Sequence, residues 1–478
     1  MAPWPADVDV LVVGAGPTGL GAAWRLEVRQ QESGPHWLLV DGGSRAGGLA
    51  GSIRDPAGFT WDLGGHVLYS HYPLFDDLLE DLLGASWEEH ERAGWIYTFG
   101  RWIPFPIQRN IRHLPPDQLL RCLDGLLDLQ VPTAPAANFQ QWLQGNFGSG
   151  LVDVFFAPFN TKMWGRAPGE LGCGWTESRS GSRNSNVPLV DLRQILRTIV
   201  LQSDDPGWDR STTFRYPARG GTGAIWHALA DRLPSAHLRM GHEVAAIDAG
   251  ARTATLTDGS MIRYQAIVSS IPLDRLLPMI TDRPDLGARA SRLDYASTCL
   301  VGVGFEWPRP PVLDEKYWLY FPDPDVPFHR VSVLSNYARQ NVPDPARQWS
   351  LLCEINRHPS HRVDLEALAG TCVEALLRTF ALPRSAVVNR WQHSLERGYP
   401  VPTIRRDAVL ADVQPRLKEL GIYSRGRFGG WRYEVSNQDH SFMQGVEAID
   451  HILTGKPEST YEDAQAVNDL ALNPQAVP

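Results

Sequence analysis

Val8-Asp-Val-Leu-Val-Val13 runs without a break into Gly14-Ala-Gly16-Pro-Thr18-Gly19, and Leu20-Gly-Ala-Ala-Trp-Arg-Leu26 follows with helical composition. The order is strand, glycine turn, helix. A second apolar run, Trp37-Leu-Leu-Val40, ends in Asp41, 22 residues after Gly19. Each glycine has its own task in such a unit: Gly14 permits the tight turn, Gly16 lets the backbone approach a pyrophosphate, and Gly19 lets the helix pack close on the strand. The helix N-terminus then offers unpaired N–H groups to a phosphate, and Asp41 can accept from ribose hydroxyls. An isolated G-x-G-x-x-G is a weak signal. With a strand before it, a helix after it and an acid at this distance, it reads as a dinucleotide site rather than an incidental glycine turn.

Further along, Glu243–Asp248, Thr253–Thr257 and Met261–Tyr264 read as strands around an Asp258-Gly259 hairpin signal, and Ala266–Ser270 as another buried strand that rejoins the dinucleotide domain. Between these pieces apolar residues recur at helical spacing: Phe75, Leu78, Leu79, Leu82 and Leu83, then Leu119, Leu120, Leu123, Leu126 and Leu127, then Leu192, Ile195, Leu196 and Ile199. All three stripes are expected to pack into the core. Thr298–Phe305, Lys316–Phe321, Phe328–Leu334 and Trp349–Ile355, joined by Pro-rich connections, predict an antiparallel sheet. The fold class is therefore α/β: a Rossmann-like cofactor domain built from 1–72, 214–275 and 424–456, an inserted mainly helical domain over 73–213, and an antiparallel-sheet substrate domain over 276–423. The Pro/Ala-rich stretch 457–478 is expected to be a flexible tail.

Composition narrows the function. A chain of 478 residues with 43% hydrophobic and 21% charged residues has ample material for a packed core of two or three domains. Its net charge of −9 and lack of Lys/Arg runs argue against nucleic acid as partner. Of 45 basic residues only Lys162, Lys316, Lys418 and Lys456 are Lys, which leaves 41 Arg, and planar guanidinium groups suit bidentate contact with phosphate. Five scattered cysteines without a C-x-x-C pair read as reduced thiols, and the apolar run Val8–Val13 is too short for a signal or spanning segment. A cytoplasmic protein without membrane association is expected, and no metal site is expected.

Asp41-Gly-Gly-Ser-Arg45-Ala-Gly47-Gly48-Leu49-Ala50 resembles the second-strand extension of FAD-binding oxidoreductases, which favours FAD over NAD. Five further motifs carry a closer resemblance: Phe59-Thr-Trp-Asp-Leu-Gly64-Gly65-His66-Val-Leu-Tyr-Ser-His71, Trp102-Ile-Pro-Phe-Pro-Ile-Gln108, Phe214-Arg-Tyr-Pro-Ala-Arg219-Gly-Gly-Thr-Gly223, Gly398-Tyr399-Pro-Val-Pro-Thr403, and Gly430-Trp-Arg432-Tyr433-Glu-Val-Ser-Asn437-Gln438-Asp-His-Ser441-Phe. From about residue 8 to 455 the chain resembles the UDP-galactopyranose mutase family, in its eukaryotic-type branch. The resemblance implies a flavoenzyme that interconverts pyranose and furanose forms of a UDP-sugar, UDP-galactose or a related hexose or pentose, with no net redox change. It also implies the route: reduced flavin attacks the anomeric carbon, UDP leaves, and a flavin–sugar iminium adduct allows the ring to open and reclose.

By the same resemblance, FAD is held by Gly14, Gly16, Thr18, Gly19, Asp41, Gly48, Leu49, Gly64, Gly65, Val244, Gly430, Asn437, Gln438 and Ser441. Asn437 is expected to cap a helix whose positive N-terminal end favours the anionic reduced flavin. The catalytic set is Arg179 and Arg330, which grip the leaving diphosphate, with Gly65 and His66 beside the flavin ring; for His66 stacking and hydrogen bonding are preferred to a role as base. Tyr320, Tyr337, Tyr399 and Tyr433 offer hydroxyls to phosphate or sugar, and Phe105, Gln108, Phe155, Asn160 and Trp164 form an aromatic and amide slot for uracil. NADPH is implied as the priming reductant, with Arg92 and Arg427 as nucleotide contacts. A homo-oligomer is left open.

The chain departs from the family at Phe105 and Phe159, where relatives carry Tyr, and at Gly207 and Ser211, where they carry Asn. Loss of asparagine donors near the sugar predicts an altered sugar preference, because sites built around a polar group discriminate by its presence. The Ser/Gly-rich stretch after Arg179 and the loop 207–213 are candidate closing flaps. Two other readings stand beside the mutase: an FAD-dependent oxidoreductase of the amine-oxidase type, and a catalytically idle sugar-nucleotide binder.

Overall fold

Strand Asp7–Val13 is buried from both sides, and its alternation shows how. Leu11 and Val13 point into one core with Leu38, Val40 and Ile267, while Val10 and Val12 point into the other with Trp37, Leu39 and Val268. Each such side chain, fully buried, stabilises the fold by about 1.5–3 kcal/mol. The computed structural model describes residues 7–30, 34–68, 70–129, 134–176, 187, 189–205 and 213–470. Asp7–Val13 pairs in parallel with Met261–Ser269 on one side and Trp37–Asp41 on the other. Leu238–Met240 extends the sheet beyond Trp37–Asp41, Ile422–Ser424 pairs with Met261–Ser269, and the Val244–Asp248 and Thr253–Leu256 hairpin completes seven strands. The two runs expected as separate strands at 261–264 and 266–270 are one strand, Met261–Ser269.

Helices Pro17–Gln30 and Gln438–Thr454 pack against each other beside this sheet. Their contact is close because a β-carbon at Gly445 would lie 2.0 Å from the Thr18 carbonyl oxygen. Residues from near both ends of the chain thus meet at one end of the sheet.

The second sheet also has seven strands, in the order Val387–Pro400, Tyr295–Glu306, Gln348–Arg357, Arg330–Ser332, Trp318–Tyr320, Gly94–Thr98 and Arg101–Pro104. Its pairs are antiparallel except Trp318–Tyr320 with Gly94–Thr98. The expected boundaries shift accordingly. Gly94–Thr98 and Arg101–Pro104, assigned from sequence to the helical insertion, belong to this sheet, because the burial alternation of Gly94–Thr98 matches a strand face. Arg406–Glu419, assigned to the substrate domain, packs Val409, Val413 and Leu417 into the cofactor-side core.

The insertion also holds the strand Trp87–Glu91, paired antiparallel with Thr213–Pro217, and the helices Pro73–Leu83, Pro116–Leu127, Phe139–Leu151 and Leu192–Leu201. Phe139–Leu151 continues through a π-helical turn, Val152–Phe156, into Ala157–Trp164. Phe75, Leu78, Leu79, Leu126 and Ile195 are buried as expected, but Leu120, Leu127 and Leu196 are exposed. Those stripes are wider than the face each helix has available to bury.

Residues 457–470 do not form the expected tail. Ser459–Glu462 and Ala464–Leu470 are helical, and buried Glu458 pairs with buried Arg425 at 2.5 and 2.8 Å. Among the described residues no helix is long and apolar enough to cross a membrane.

Candidate active site

One cavity of about 890 Å³ joins the glycine turn of the first sheet to the face of the second, within the range for a bound organic cofactor or ligand. Gly14, Gly16, Thr18, Asp41, Gly48, Leu49 and Val244 line its first end. Gly14 has φ +106°, and a β-carbon there would lie 2.1 Å from Ser270 Oγ, so no other residue fits without displacement. Gly19 lies behind the wall: its β-carbon would meet the Gly14 carbonyl oxygen at 1.7 Å, which is the helix-to-strand contact expected of the third glycine. Asp41 closes the turn by accepting the backbone N–H groups of Ala15 and Gly43, both at 2.5 Å. Burial pushes its carboxyl above the ordinary value. Gly16 and Gly48 face each other with 4.0 Å between the position of a Gly16 β-carbon and Gly48 Cα, a bare backbone cradle that side chains would fill. These residues fit the dinucleotide part of FAD.

The other cofactor residues sit at the start of helix Gln438–Thr454. Asn437, Gln438 and Ser441 all line the cavity, and Trp226 Nε1 donates to Gln438 Oε1 at 2.8 Å. Asn437 occupies the N-cap position as expected, with extended backbone and no side-chain bond to the first-turn N–H groups. That leaves the first-turn N–H groups oriented by the helix alone. Gly430 does not line the cavity; it is packed against Tyr461, whose ring a β-carbon would approach to 2.9 Å. Its smallness admits the C-terminal segment.

In the loop at the centre of the cavity, Gly65 donates its N–H to Glu354 Oε1 at 2.9 Å, and a β-carbon on Gly65 would lie 2.4 Å from Ser332 Oγ. Glu354 also takes a two-pronged pair from Arg330, Nε to Oε1 at 2.6 Å and Nη2 to Oε2 at 2.7 Å. Glu354 is 1% exposed. Burial pushes its carboxyl up, but the Arg330 charge and hydrogen bonds outweigh burial and hold it below the ordinary value. His66 is pushed down to about 4 by burial, which leaves a neutral imidazole. Glu354 was not singled out in the sequence, although one acid inside Ser350-Leu-Leu-Cys-Glu354-Ile-Asn356, an otherwise apolar strand, is the signal that could have found it.

The opposite end is aromatic. Phe155 and Phe159 are stacked at 5.1 Å and 9°, Phe159 meets Tyr320 edge-on at 5.3 Å, and Phe105 lies 5.3 Å from Tyr320. Phe155 reaches this wall from the π-helical turn, a device that re-aims side chains within a helix. Gln108 and Trp164 line the same chamber. Asn160 lines it too, but its amide is engaged locally: Nδ2 donates to the Phe156 carbonyl at 2.8 Å, and Oδ1 accepts from Trp164 Nε1 at 3.1 Å. These bonds use one of its two N–H groups and one of its two oxygen lone pairs.

Between the two ends stand the charged and hydroxyl groups. Arg330, Arg427, Arg92, Tyr320, Tyr337, Tyr399 and Tyr433 all border the cavity. Arg330 Nη2 reaches Tyr399 OH at 3.3 Å. Arg427 donates to the Gly398 carbonyl at 3.2 and 3.3 Å and to Ser436 Oγ at 3.0 Å, and its guanidinium lies 4.6 Å over the Tyr399 ring. Unlike Arg330, it has no carboxylate partner among the described residues. Arg179 and the candidate flap positions 178–186, 207 and 211 lie outside the described residues. A residue that sequence reading placed in the tail, Asn468, also borders the cavity and donates to the Glu434 carbonyl at 2.9 Å.

A dinucleotide cradle that opens into a chamber between two sheets is the arrangement of a flavin-dependent oxidoreductase fold. The family model described as flavin containing amine oxidoreductase matches residues 17–444. A crystal structure of reduced UDP-galactopyranose mutase is 41% identical, with 96% of this chain and 99% of that chain covered at a TM-score of 0.91. A putative protoporphyrinogen oxidase from Exiguobacterium sp. 255-15 (17% identity, 95% and 100% covered, TM-score 0.71) and the cyclohexylamine oxidase of Brevibacterium oxydans IH-35A (17%, 93% and 98%, TM-score 0.62) share the fold. The chain belongs to the UDP-galactopyranose mutase family within the flavin containing amine oxidoreductases, and it is an isomerase-type flavoenzyme.

Proposed function

We propose that this enzyme interconverts the pyranose and furanose forms of a UDP-sugar, with FAD active in its reduced state. The observation that carries the reading is the continuity of one cavity from the glycine cradle, past Gly65 and Arg330, to the Phe155–Phe159–Tyr320 chamber. A flavin in the cradle and a uridine diphosphate in the chamber would place the sugar between them. When bound and reduced, the flavin supplies the nucleophile for the anomeric carbon.

The chain's own residues do the rest. Phe155, Phe159 and Trp164 offer flat apolar faces for uracil. Arg330 and Arg427 hold the diphosphate; a guanidinium stays charged throughout and stabilises the negative charge that builds as UDP departs. Arg179 joins them by family resemblance. Tyr320 and Tyr433 are kept as neutral O–H donors because burial raises their pKa, and the Tyr399 hydroxyl sits at the Arg330 guanidinium. The start of helix Gln438–Thr454 favours an anionic ring at its end of the cavity. Priming requires a reductant, for which NADPH is the proposed source, with Arg92 and Arg427 bordering the same cavity.

The test is anaerobic incubation of dithionite-reduced protein with a panel of UDP-furanoses and UDP-pyranoses, with products separated chromatographically and identified by NMR. Many product molecules per flavin, with the flavin still reduced, are expected. Flavin reoxidation in step with product formation would support an amine-oxidase-like oxidoreductase and overturn the mutase reading; turnover of the galactose form alone would overturn the expectation of an altered sugar.

A further inference from the structure

Residues 458–468 run along the outside of the stretch that carries Tyr433. Two buried anchors hold them there. Glu458 takes a two-pronged ion pair from Arg425, and Thr460 donates its N–H and its hydroxyl to Glu447 at 2.8 and 2.9 Å. Beyond the anchors, the contacts fall on every second residue of 430–434: Tyr461 OH donates to the Gly430 carbonyl at 3.3 Å, the Arg432 guanidinium lies 4.8 Å over the Tyr461 ring, and Asn468 Nδ2 donates to the Glu434 carbonyl at 2.9 Å. Trp431, Tyr433 and Val435 face the other way. Trp431 and Val435 are fully buried, and Tyr433 borders the cavity with its ring edge-on to Trp164 at 4.8 Å.

A hydroxyl serves a bound ligand only where the backbone beneath it is fixed, because a displacement of about 1 Å can cost roughly 100-fold in rate. Tyr433 stands at the start of a single 3-10 turn, Tyr433–Val435. A turn this short has poor internal hydrogen-bond geometry and is held from outside. Here the outside support comes on two sides: Arg406 grips the Glu434 carboxylate at 2.8 and 3.2 Å, and Asn468 grips the Glu434 carbonyl. Asn468 itself borders the cavity. We propose that residues 458–468 are a working part of the active-site wall, in which Asn468 is a positioning residue: its amide N–H holds the Glu434 carbonyl and thereby sets the Tyr433 hydroxyl toward the UDP-sugar. The inference rests on the mutase reading above, in which Tyr433 contacts that substrate. Because Glu458 and Thr460 anchor the segment independently, loss of the Asn468 amide frees the turn without freeing the segment.

The test compares anaerobic turnover per bound flavin in full-length, FAD-loaded, dithionite-reduced wild type, Asn468→Ala, Tyr433→Phe and the double variant. Asn468→Ala should lower kcat/KM roughly 3–10-fold, the loss of one hydrogen bond, with flavin content unchanged. In the double variant the two losses should not multiply: its kcat/KM should equal that of Tyr433→Phe alone, since a hydroxyl that is gone cannot be misplaced. Asn468→Asp keeps the shape without the N–H and should behave as alanine, whereas Asn468→Gln keeps the donor and should recover at least about half of the wild-type value. Losses that multiply, wild-type turnover in Asn468→Ala or Asn468→Asp, or a Gln variant no better than alanine would each overturn the proposal and leave the mutase reading standing. An unimpaired Tyr433→Phe would remove Tyr433 from the substrate contacts and the proposal with it. A wild type that turns over no UDP-sugar would overturn the mutase reading itself, and this inference falls with that reading.

Discussion

Glu354→Gln is the perturbation that asks most of the structure. Glu354 is held by two hydrogen bonds from Arg330 and one from the Gly65 N–H, and it is 1% exposed. Glutamine has the same length but no charge, and one of its two terminal atoms would donate toward groups that also donate. Removing one partner of a buried ion pair costs about 3–5 kcal/mol. Arg330 retains 20% side-chain exposure and the Tyr399 hydroxyl, so the lower end applies, about 3 kcal/mol, or roughly a hundredfold in the folding equilibrium.

The pH dependence has a definite sign. Because the folded-state pKa of Glu354 lies below its unfolded value, the unfolded chain binds the proton more readily. The stabilisation is therefore complete above the unfolded carboxylate pKa of about 4.3 and is lost as pH falls through the lower folded value. Denaturant unfolding of FAD-loaded wild type and variant, followed by tryptophan and flavin fluorescence at pH 7 and at progressively lower pH, measures both effects. A deficit under about 1 kcal/mol at pH 7, or one that stays constant into acid, would refute the assignment of Glu354 as the charged anchor of Arg330 and the Gly65 loop.

Arg427→Ala removes a cavity guanidinium that has no carboxylate partner among the described residues. Loss of a charge-assisted contact is worth about 1.5–3 kcal/mol, so kcat/KM for the UDP-sugar should fall roughly 10–100-fold with flavin content unchanged, and a change within threefold would count against the diphosphate role. Gly65→Ala forces a β-carbon to 2.4 Å from Ser332 Oγ and 2.9 Å from Glu354 Oε1; overpacking of about 1–3 kcal/mol should appear as a shifted flavin spectrum and at least a tenfold slower turnover. His66, pushed down to about 4, should give histidine NMR resonances that do not titrate between pH 5 and 8. Since the unfolded chain protonates this histidine near pH 6.5 and the folded chain does not, stability falls as pH drops from 6.5 toward 4, and replacing His66 by Asn should flatten that part of the profile.

The local readings held where the signal was itself local. The first strand, its glycine turn and the following helix needed only a β-branched run, three glycines and an acid, since backbone geometry and burial decide such a unit within about 35 residues. The residues expected to form a uracil slot and the four tyrosines came through family motifs, and the cavity borders all of them. Asn160 shows what residue type leaves open: the amide borders the cavity, and how many of its donors and acceptors are taken by Phe156 and Trp164, a turn away, is set by the fold. Leu120 and Leu127 show a similar limit for periodicity, which marks an apolar face without saying how much of it another element covers.

Contacts between segments distant in the chain were decided by tertiary structure alone. Gly65 and Glu354 are 289 residues apart, and no local pattern links them; the second sheet brings Glu354 beneath the loop. Residues 457–470 carry the composition of a tail, yet Glu458 is buried because Arg425 is already buried there and needs a counter-charge. Sequence by itself determined the α/β class, the dinucleotide turn and the inventory of aromatic and guanidinium groups, because those depend on propensity, periodicity and motif. Which guanidinium is neutralised, which amide is engaged and which histidine stays uncharged depended on low-dielectric neighbours supplied by other strands, and only the folded chain brings those together.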